Sequence, residues 1–238
     1  MPLRESKGNM YSFLNEMSGG NGYTWNPIRG ACLHQCSYCY VPRIMRGKQG
    51  ELRLDEKDLR TDLGNGRFIF VGSSTDMWAT DVLGEWITEI YCCCLININN
   101  TYLFQTKNPI RFHGYFFLAC KMKENFIYGT TIETNRQYPC MGKAPDTNER
   151  SNAIKYLREQ SCRTMITIEP ILDFDLDDLI KLIQFASPEW VNIGADSQGH
   201  HLPEPSPEKV KALIERLRVF TTVKLKSNLK RITGGNDG

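Results

Sequence analysis

No stretch of this chain approaches the ~20 consecutive apolar residues that a membrane helix needs, so no membrane partner is expected. No charge of one sign dominates either. The 29 Lys and Arg face 27 Asp and Glu, a formal net charge of +2, and nothing global demands a polyanion. Two local basic groups, Arg43, Arg46 and Lys48, and then Lys224, Lys226, Lys230 and Arg231, read first as solvated surface charge. The opening residues 1–13 lack the apolar core of a secretory signal, so a cytoplasmic protein with reduced thiols is expected. Histidine is scarce at four residues. Its one close pair, His200 and His201, is adjacent rather than at the i, i+4 spacing of a helix-borne metal pair, which favours substrate or surface roles. There is no internal repeat, low-complexity tract or long linker. A chain of 238 residues, 41% hydrophobic and 24% charged, reads as a single domain over 1–238.

Cysteine, by contrast, is plentiful. There are nine, an odd number that does not suit a simple disulfide framework. Cys32, Cys36 and Cys39 form a C-x-x-x-C-x-x-C frame, with Tyr38 before the last. Iron–sulfur clusters are held by cysteine thiolates, normally four. Three from one tight loop can hold three irons of a cubane and leave the fourth open to a small chelating ligand. Two other readings compete. Zinc wants four ligands in a tetrahedron, and the only local fourth is His34, inside the loop, with no second C-x-x-C downstream. Buried cysteines can also be plain small hydrophobes, but Pro27, Gly30 and the polar residues around these three read as loop.

The remaining cysteines read differently. Cys92, Cys93 and Cys94 fall in one helical stretch, where successive residues splay ~100° apart, so they cannot share a compact cluster and are expected in the core. Cys120 and Cys162 are expected there too. Cys140 lies in a polar loop, 137–142, as an exposed thiol near the strand ends.

Along the chain, short apolar runs alternate with amphipathic stretches. Residues 23–28, 67–71, 102–106, 126–132, 164–169 and 190–194 have the near-continuous apolar character of buried parallel strands, and 222–226 offers a further one. Helices are expected over 82–95, from Asn108 and Pro109 to about 122, over 148–160, over 175–185, and from Ser206 and Pro207 onward. The fold class is therefore α/β with a parallel sheet and right-handed crossovers. About six β/α units, rather than eight, make a partial, open TIM-type barrel with a possible extra C-terminal strand.

In such folds chemistry gathers beyond the carboxyl ends of the strands. The cysteine loop follows the first strand and Gly72, Ser73, Ser74 and Asp76 the second. Lys107 follows the third, Glu133 and Asn135 the fourth, Glu169 the fifth, and Asp196 and His200 the sixth. Every exit carries polar or ionisable groups. Gly72 lets backbone approach a ligand closely, and the serine hydroxyls and Asp76 can accept from an ammonium.

The cysteine frame, with an aromatic residue before the third cysteine, resembles the signature of radical S-adenosylmethionine enzymes. The wider context is closest to a small phage-type subfamily of unknown substrate, distantly related to spore photoproduct lyase. The matching segments are 7–10, 25–40, 72–76, 106–109, 131–136, 168–171, 193–197 and 202–205, nearly end to end. The resemblance implies a [4Fe–4S] cluster on Cys32, Cys36 and Cys39, whose open iron binds S-adenosylmethionine. One electron from an external flavodoxin- or ferredoxin-type reductant then yields methionine and a 5′-deoxyadenosyl radical that takes hydrogen from a substrate. It further implies that the Gly72 to Asp76 segment binds the methionine amino group and that Tyr38 flanks adenine. Glu133 would meet the ribose hydroxyls or the carboxylate end. Lys107, at its strand exit, reads either as a contact to substrate or carboxylate or as a helix-flanking surface lysine, and Glu169 as serving cofactor, substrate or an ion pair. Cys140 would be a hydrogen-atom donor, as a cysteine is in the lyase relative. A nucleic acid or nucleotide leads as substrate, by analogy, with a small metabolite close behind. The non-enzymatic alternative is an iron–sulfur redox sensor that binds a partner.

Overall fold

The computed structural model describes residues 3–5, 22–119 and 122–234. Each apolar run forms a strand: β2 (Gly22–Trp25), β5 (Phe68–Val71), β6 (Thr101–Thr106), β7 (Phe126–Thr131), β8 (Arg163–Ile168), β9 (Trp190–Ile193) and β10 (Thr222–Leu225). With β1 (Leu3–Glu5) they make one eight-stranded open sheet in the order β1-β2-β5-β6-β7-β8-β9-β10. Every pairing from β2 to β10 is parallel, and only β1 lies antiparallel, against β2. The expected α/β open barrel of about six units with an extra C-terminal strand is therefore present. The antiparallel edge strand β1 is an addition, as is the ribbon of β3 (Ile28–Arg29) and β4 (Arg53–Leu54).

Strand residues alternate between two buried faces, as a period of two requires. Ile69, Val71, Tyr102, Phe104, Phe126, Tyr128, Ile166, Ile168, Val191 and Ile193 join the large core beneath the helices. The intervening Phe68, Phe70, Leu103, Ile127, Met165 and Trp190 form a second cluster inside the curve of the sheet. Further along the same inward positions the side chains turn polar. Gln105 Nε2 donates to Thr131 Oγ1 at 3.2 Å, and Asn192 Nδ2 to Thr167 Oγ1 at 3.3 Å. One step further come Lys107, Glu133 and Glu169. An apolar floor, an amide and hydroxyl layer and an ionisable rim thus follow from continuing the strand alternation to its carboxyl end.

Helices Gly84–Ile96, Thr147–Glu159, Leu176–Ala186 and Pro207–Arg218 cover the outer face. Ser206 caps the last, its Oγ accepting from the Lys209 amide at 3.3 Å with Pro207 in the first turn, and Asp146 caps the second through the Asn148 amide. Cys94 and Cys162 are buried, but Cys92 is exposed, so the triple cysteine puts only part of itself in the core. The helix expected over 108–122 is replaced by 3₁₀ turns at Pro109–Gly114 and Phe116–Ala119. Asn108 does not cap; its Nδ2 donates to the Trp78 carbonyl at 3.0 Å. Phe112 wedges against Trp78 and Tyr128, at ring centroid distances of 4.7 and 5.0 Å. Side-chain packing of this aromatic-rich stretch outweighs helix propensity, and Gly114 weakens the latter further. Cys120 and the segment 7–10 lie outside the described residues.

Candidate functional site

A cavity of about 760 Å³ opens at the carboxyl ends of the strands. One wall is the loop between β3 and the short helix Val41–Ile44. Four bonds to the chain around residues 140–143 and within the loop fix its shape. The Ser37 amide donates to the Cys140 carbonyl (3.0 Å), Lys143 N to His34 O (2.7 Å) and Cys39 N to Cys36 O (3.1 Å). Cys36 Sγ donates to the Met141 carbonyl at 3.3 Å. Cys32, Cys36, Tyr38 and Cys39 all border the cavity. Burial, with Asp76 nearby, pushes the Cys32 thiol up to about 11, and burial raises Cys36 as well.

Among the described residues no three His, Cys, Asp or Glu side chains converge on one point in this arrangement. His34, the only local fourth zinc ligand, has its Nε2 on Asp76 Oδ2 at 2.8 Å. Cys32, Cys36 and Cys39, each half-buried and bordering one cavity, are the kind of donor that three corners of a cubane would take.

The second wall is the loop after β5. Gly72 has φ +77°, a left-handed conformation that glycine adopts without strain. Ser73 Oγ and the Ser74 amide both donate to Asn26 Oδ1, at 3.1 and 2.8 Å, and Tyr40 Oη donates to the Ser73 carbonyl at 2.6 Å. Asn26, which sequence reasoning passed over, therefore shapes this loop. Asp76 borders the cavity but is engaged by protein donors: His34 Nε2, Thr106 Oγ1 (2.8 Å), the Lys107 amide (3.0 Å) and the Trp78 amide (2.9 Å). Burial alone would raise its pKa, and these bonds, His34's foremost, outweigh burial and hold it below the usual carboxylate range. Asp76 is thus a tie between the cysteine loop and the ends of β5 and β6.

Glu133 does not border the cavity. It is wholly buried. Its Oε1 accepts from Lys107 Nζ (2.7 Å) and from the Tyr38 hydroxyl, and its Oε2 from Arg150 Nη1 (2.8 Å). Burial alone would raise Glu133, but Lys107 and Arg150 outweigh it and bring the pKa to about 2. Lys107 also lies 5.1 Å over the Tyr38 ring. Through Glu133 the residue before Cys39 is fastened to the barrel, and Lys107 is set at the cavity's edge. Arg150 carried no motif signal, because a guanidinium on an amphipathic helix reads as solvent-facing.

Across the cavity, Glu169 pairs with Lys226 and accepts from Asn228 Nδ2 at 2.9 Å. Lys226, read first as surface charge, is 7% exposed, a correction that follows from the chain turning inward directly after β10. Gly194 makes room for this pair, since a Cβ there would lie 2.6 Å from Glu169 Oε1. Asp196 accepts from His200 Nδ1 at 2.8 Å, so His200 braces a loop that borders the cavity. Cys140 lies behind the cysteine loop, half-buried beside Tyr38, Met141 and Leu172, and burial raises its thiol. It is not the exposed thiol expected from the loop composition.

An open parallel barrel with three thiols and a ring of polar strand exits around one cavity is the class that fold and site define. No family model and no curated protein matches this sequence. Solved structures do match in fold. A variant spore photoproduct lyase with bound AdoMet and dinucleoside spore photoproduct superposes with TM-score 0.61 at 11% identity, covering 85% of this chain and 75% of that one. Spore photoproduct lyase complexed with dinucleoside spore photoproduct gives 0.59 at 10% identity over 84% and 74%. Streptococcus suis SuiB bound to S-adenosylmethionine gives 0.61 at 11% identity over 86% and 50%. These likenesses establish a shared fold. Among the described residues no helix is long and apolar enough to cross a membrane.

Proposed function

We propose that this protein is a radical S-adenosylmethionine enzyme. The observation that carries the reading is that Cys32, Cys36 and Cys39 border the same cavity as the polar exits of the barrel strands. When bound, a [4Fe–4S] cluster with S-adenosylmethionine supplies a 5′-deoxyadenosyl radical by one-electron reductive cleavage, the electron coming from a flavodoxin- or ferredoxin-type carrier.

The chain's own residues do the rest. Cys32, Cys36 and Cys39 would hold three irons of that cluster. The Gly72 to Ser74 backbone, shaped by Asn26, borders the methionine end of the ligand. Asp76 holds the cysteine loop through His34 and contributes negative potential toward an ammonium. Lys107 presents its ammonium to a carboxylate, and Tyr38 flanks the purine. Glu133 serves this site by orienting Tyr38 and Lys107, since both its oxygens already accept from protein donors. Glu169, paired with Lys226, forms the substrate-facing wall. Cys140 packs behind the cysteine loop and does not border the cavity, so it is given no part in the chemistry. The apolar floor and the buried sheet exclude water from below.

A nucleotide or nucleic acid is the leading substrate, supported by the fold shared with structures that carry a dinucleoside ligand. The phage-type subfamily fits the ordered segments that survive as strand exits. A non-enzymatic sensor would have no use for Asp76, Lys107, Glu169 and Asp196 around the cavity that the three cysteines border. The test is anaerobic cluster reconstitution followed by a 5′-deoxyadenosine assay on wild type and Cys36→Ser. Product from wild type alone is expected; equal product from both removes the cluster from the chemistry.

A further inference from the structure

Cations facing the cavity are neutralised one by one. Lys107 meets Glu133 at 2.7 Å, Lys226 meets Glu169, and nearby Arg231 meets Glu204 at 2.8 Å. One segment departs from this. Residues 31–50 contain no Asp or Glu, yet carry Arg43, Arg46 and Lys48 close together. Arg43 donates to the neutral amide of Gln198 at 2.9 Å. Arg46 and Lys48 form no ion pair among the described residues, and all three are exposed. Between them Ile44 is 65% and Met45 43% exposed. The basic part of the segment starts at Arg43, four residues after Cys39, and Val41, Pro42 and Ile44 border the cavity. It is the outer surface adjoining the cysteine loop.

We propose that residues 43–48 are the docking face for an acidic one-electron carrier protein. The proposal rests on the reading of Cys32, Cys36 and Cys39 as cluster ligands. The step is a single electron leaving the reduced carrier and entering the cluster, with the carrier oxidised by one electron and no bond made or broken. Electron tunnelling falls steeply with distance, so the carrier must sit close. Arg43 is four residues from Cys39, at most ~14 Å of fully extended chain, and less in the helical turn observed. Transient redox complexes bury less than about 1,200 Å² and rely on charge for encounter. An apolar centre of Ile44 and Met45 flanked by three unneutralised cations has that form. A phosphodiester would match the cations alone and leave the exposed Ile44 and Met45 without a partner.

The experiment uses the cluster-loaded protein and two electron sources, dithionite and reduced flavodoxin, with 5′-deoxyadenosine as readout. The variant is Arg43→Glu with Arg46→Glu and Lys48→Glu. Dithionite-driven cleavage should stay within about twofold of wild type, while kcat/KM for flavodoxin falls about tenfold or more. The wild-type flavodoxin rate should drop with added salt and the variant's should not. Equal flavodoxin rates in variant and wild type overturn the docking face. So does a variant that keeps the flavodoxin rate but loses retention of an oligonucleotide, which would assign the segment to nucleic acid. A wild type that cleaves nothing with dithionite refutes the radical enzyme itself, a distinct failure. If charge reversal also lowers the dithionite rate, Arg46→Ala with Lys48→Ala decides by the same ratio of the two rates, since it removes only exposed side chains.

Discussion

Replacing Glu133 with Gln keeps its shape and removes its charge from between Lys107 and Arg150. With the carboxyl pKa brought from an ordinary 4.5 to about 2, its ionised form stabilises the fold by about 3 kcal/mol at neutral pH. The sign is that of a depressed carboxylate. The contribution is complete above pH 4.5 and is lost as pH falls toward 2, leaving about 2 kcal/mol at pH 3.5. Mutational experience with broken buried pairs, about 3–5 kcal/mol, gives a similar figure. In a chain of this length the neutral-pH loss corresponds to a fall in Tm of about 6–12 °C. Thermal melts and urea titrations of cluster-free wild type and Glu133→Gln, at pH 7 and pH 3.5, read both numbers. A loss below about 1 kcal/mol at pH 7, or a loss that does not shrink with acid, refutes the ionised buried strut.

Other outcomes follow from the same geometry. Asp76→Asn weakens the acceptor of His34, Thr106 and two backbone amides; alkylation of Cys32 and Cys36 in the cluster-free protein should quicken about tenfold, because charge-assisted bonds contribute about 1.5–3 kcal/mol each. Gly194→Ala sets a methyl against Glu169 and should cost about 1–3 kcal/mol in a urea titration. Lys226→Met should lower substrate turnover at least tenfold, while 5′-deoxyadenosine formed without substrate persists, if this wall serves substrate rather than cofactor. Cys140→Ala should leave both 5′-deoxyadenosine formation and the identity of the product unchanged by mass spectrometry, because the thiol does not border the cavity.

The parallel strands were legible because strands buried on both faces are almost wholly apolar, as Phe68 to Val71 is throughout and Trp190 to Ile193 is apart from Asn192. Rim residues were legible by the same token, since polar residues just beyond such a run fall at the carboxyl end. What a local reading misses is partnership. Asp76, Glu133 and Glu169 were placed at the rim, but their partners His34, Arg150 and Lys226 lie 42, 17 and 57 residues away, and no local spacing signals such pairs. Lys226 reads as surface because lysines usually are; only the inward turn after β10 buries it. The stretch 109–119 misleads because aromatic packing against Trp78 selects 3₁₀ turns over the helix that an N-terminal proline suggests.

The most direct test of the three-cysteine cluster with one open iron is the EPR spectrum of the reduced, reconstituted protein with and without S-adenosylmethionine, alongside metal content. About four irons per chain and a signal that changes when the ligand is added are expected. A signal indifferent to the ligand, or one zinc in place of iron, would contradict it.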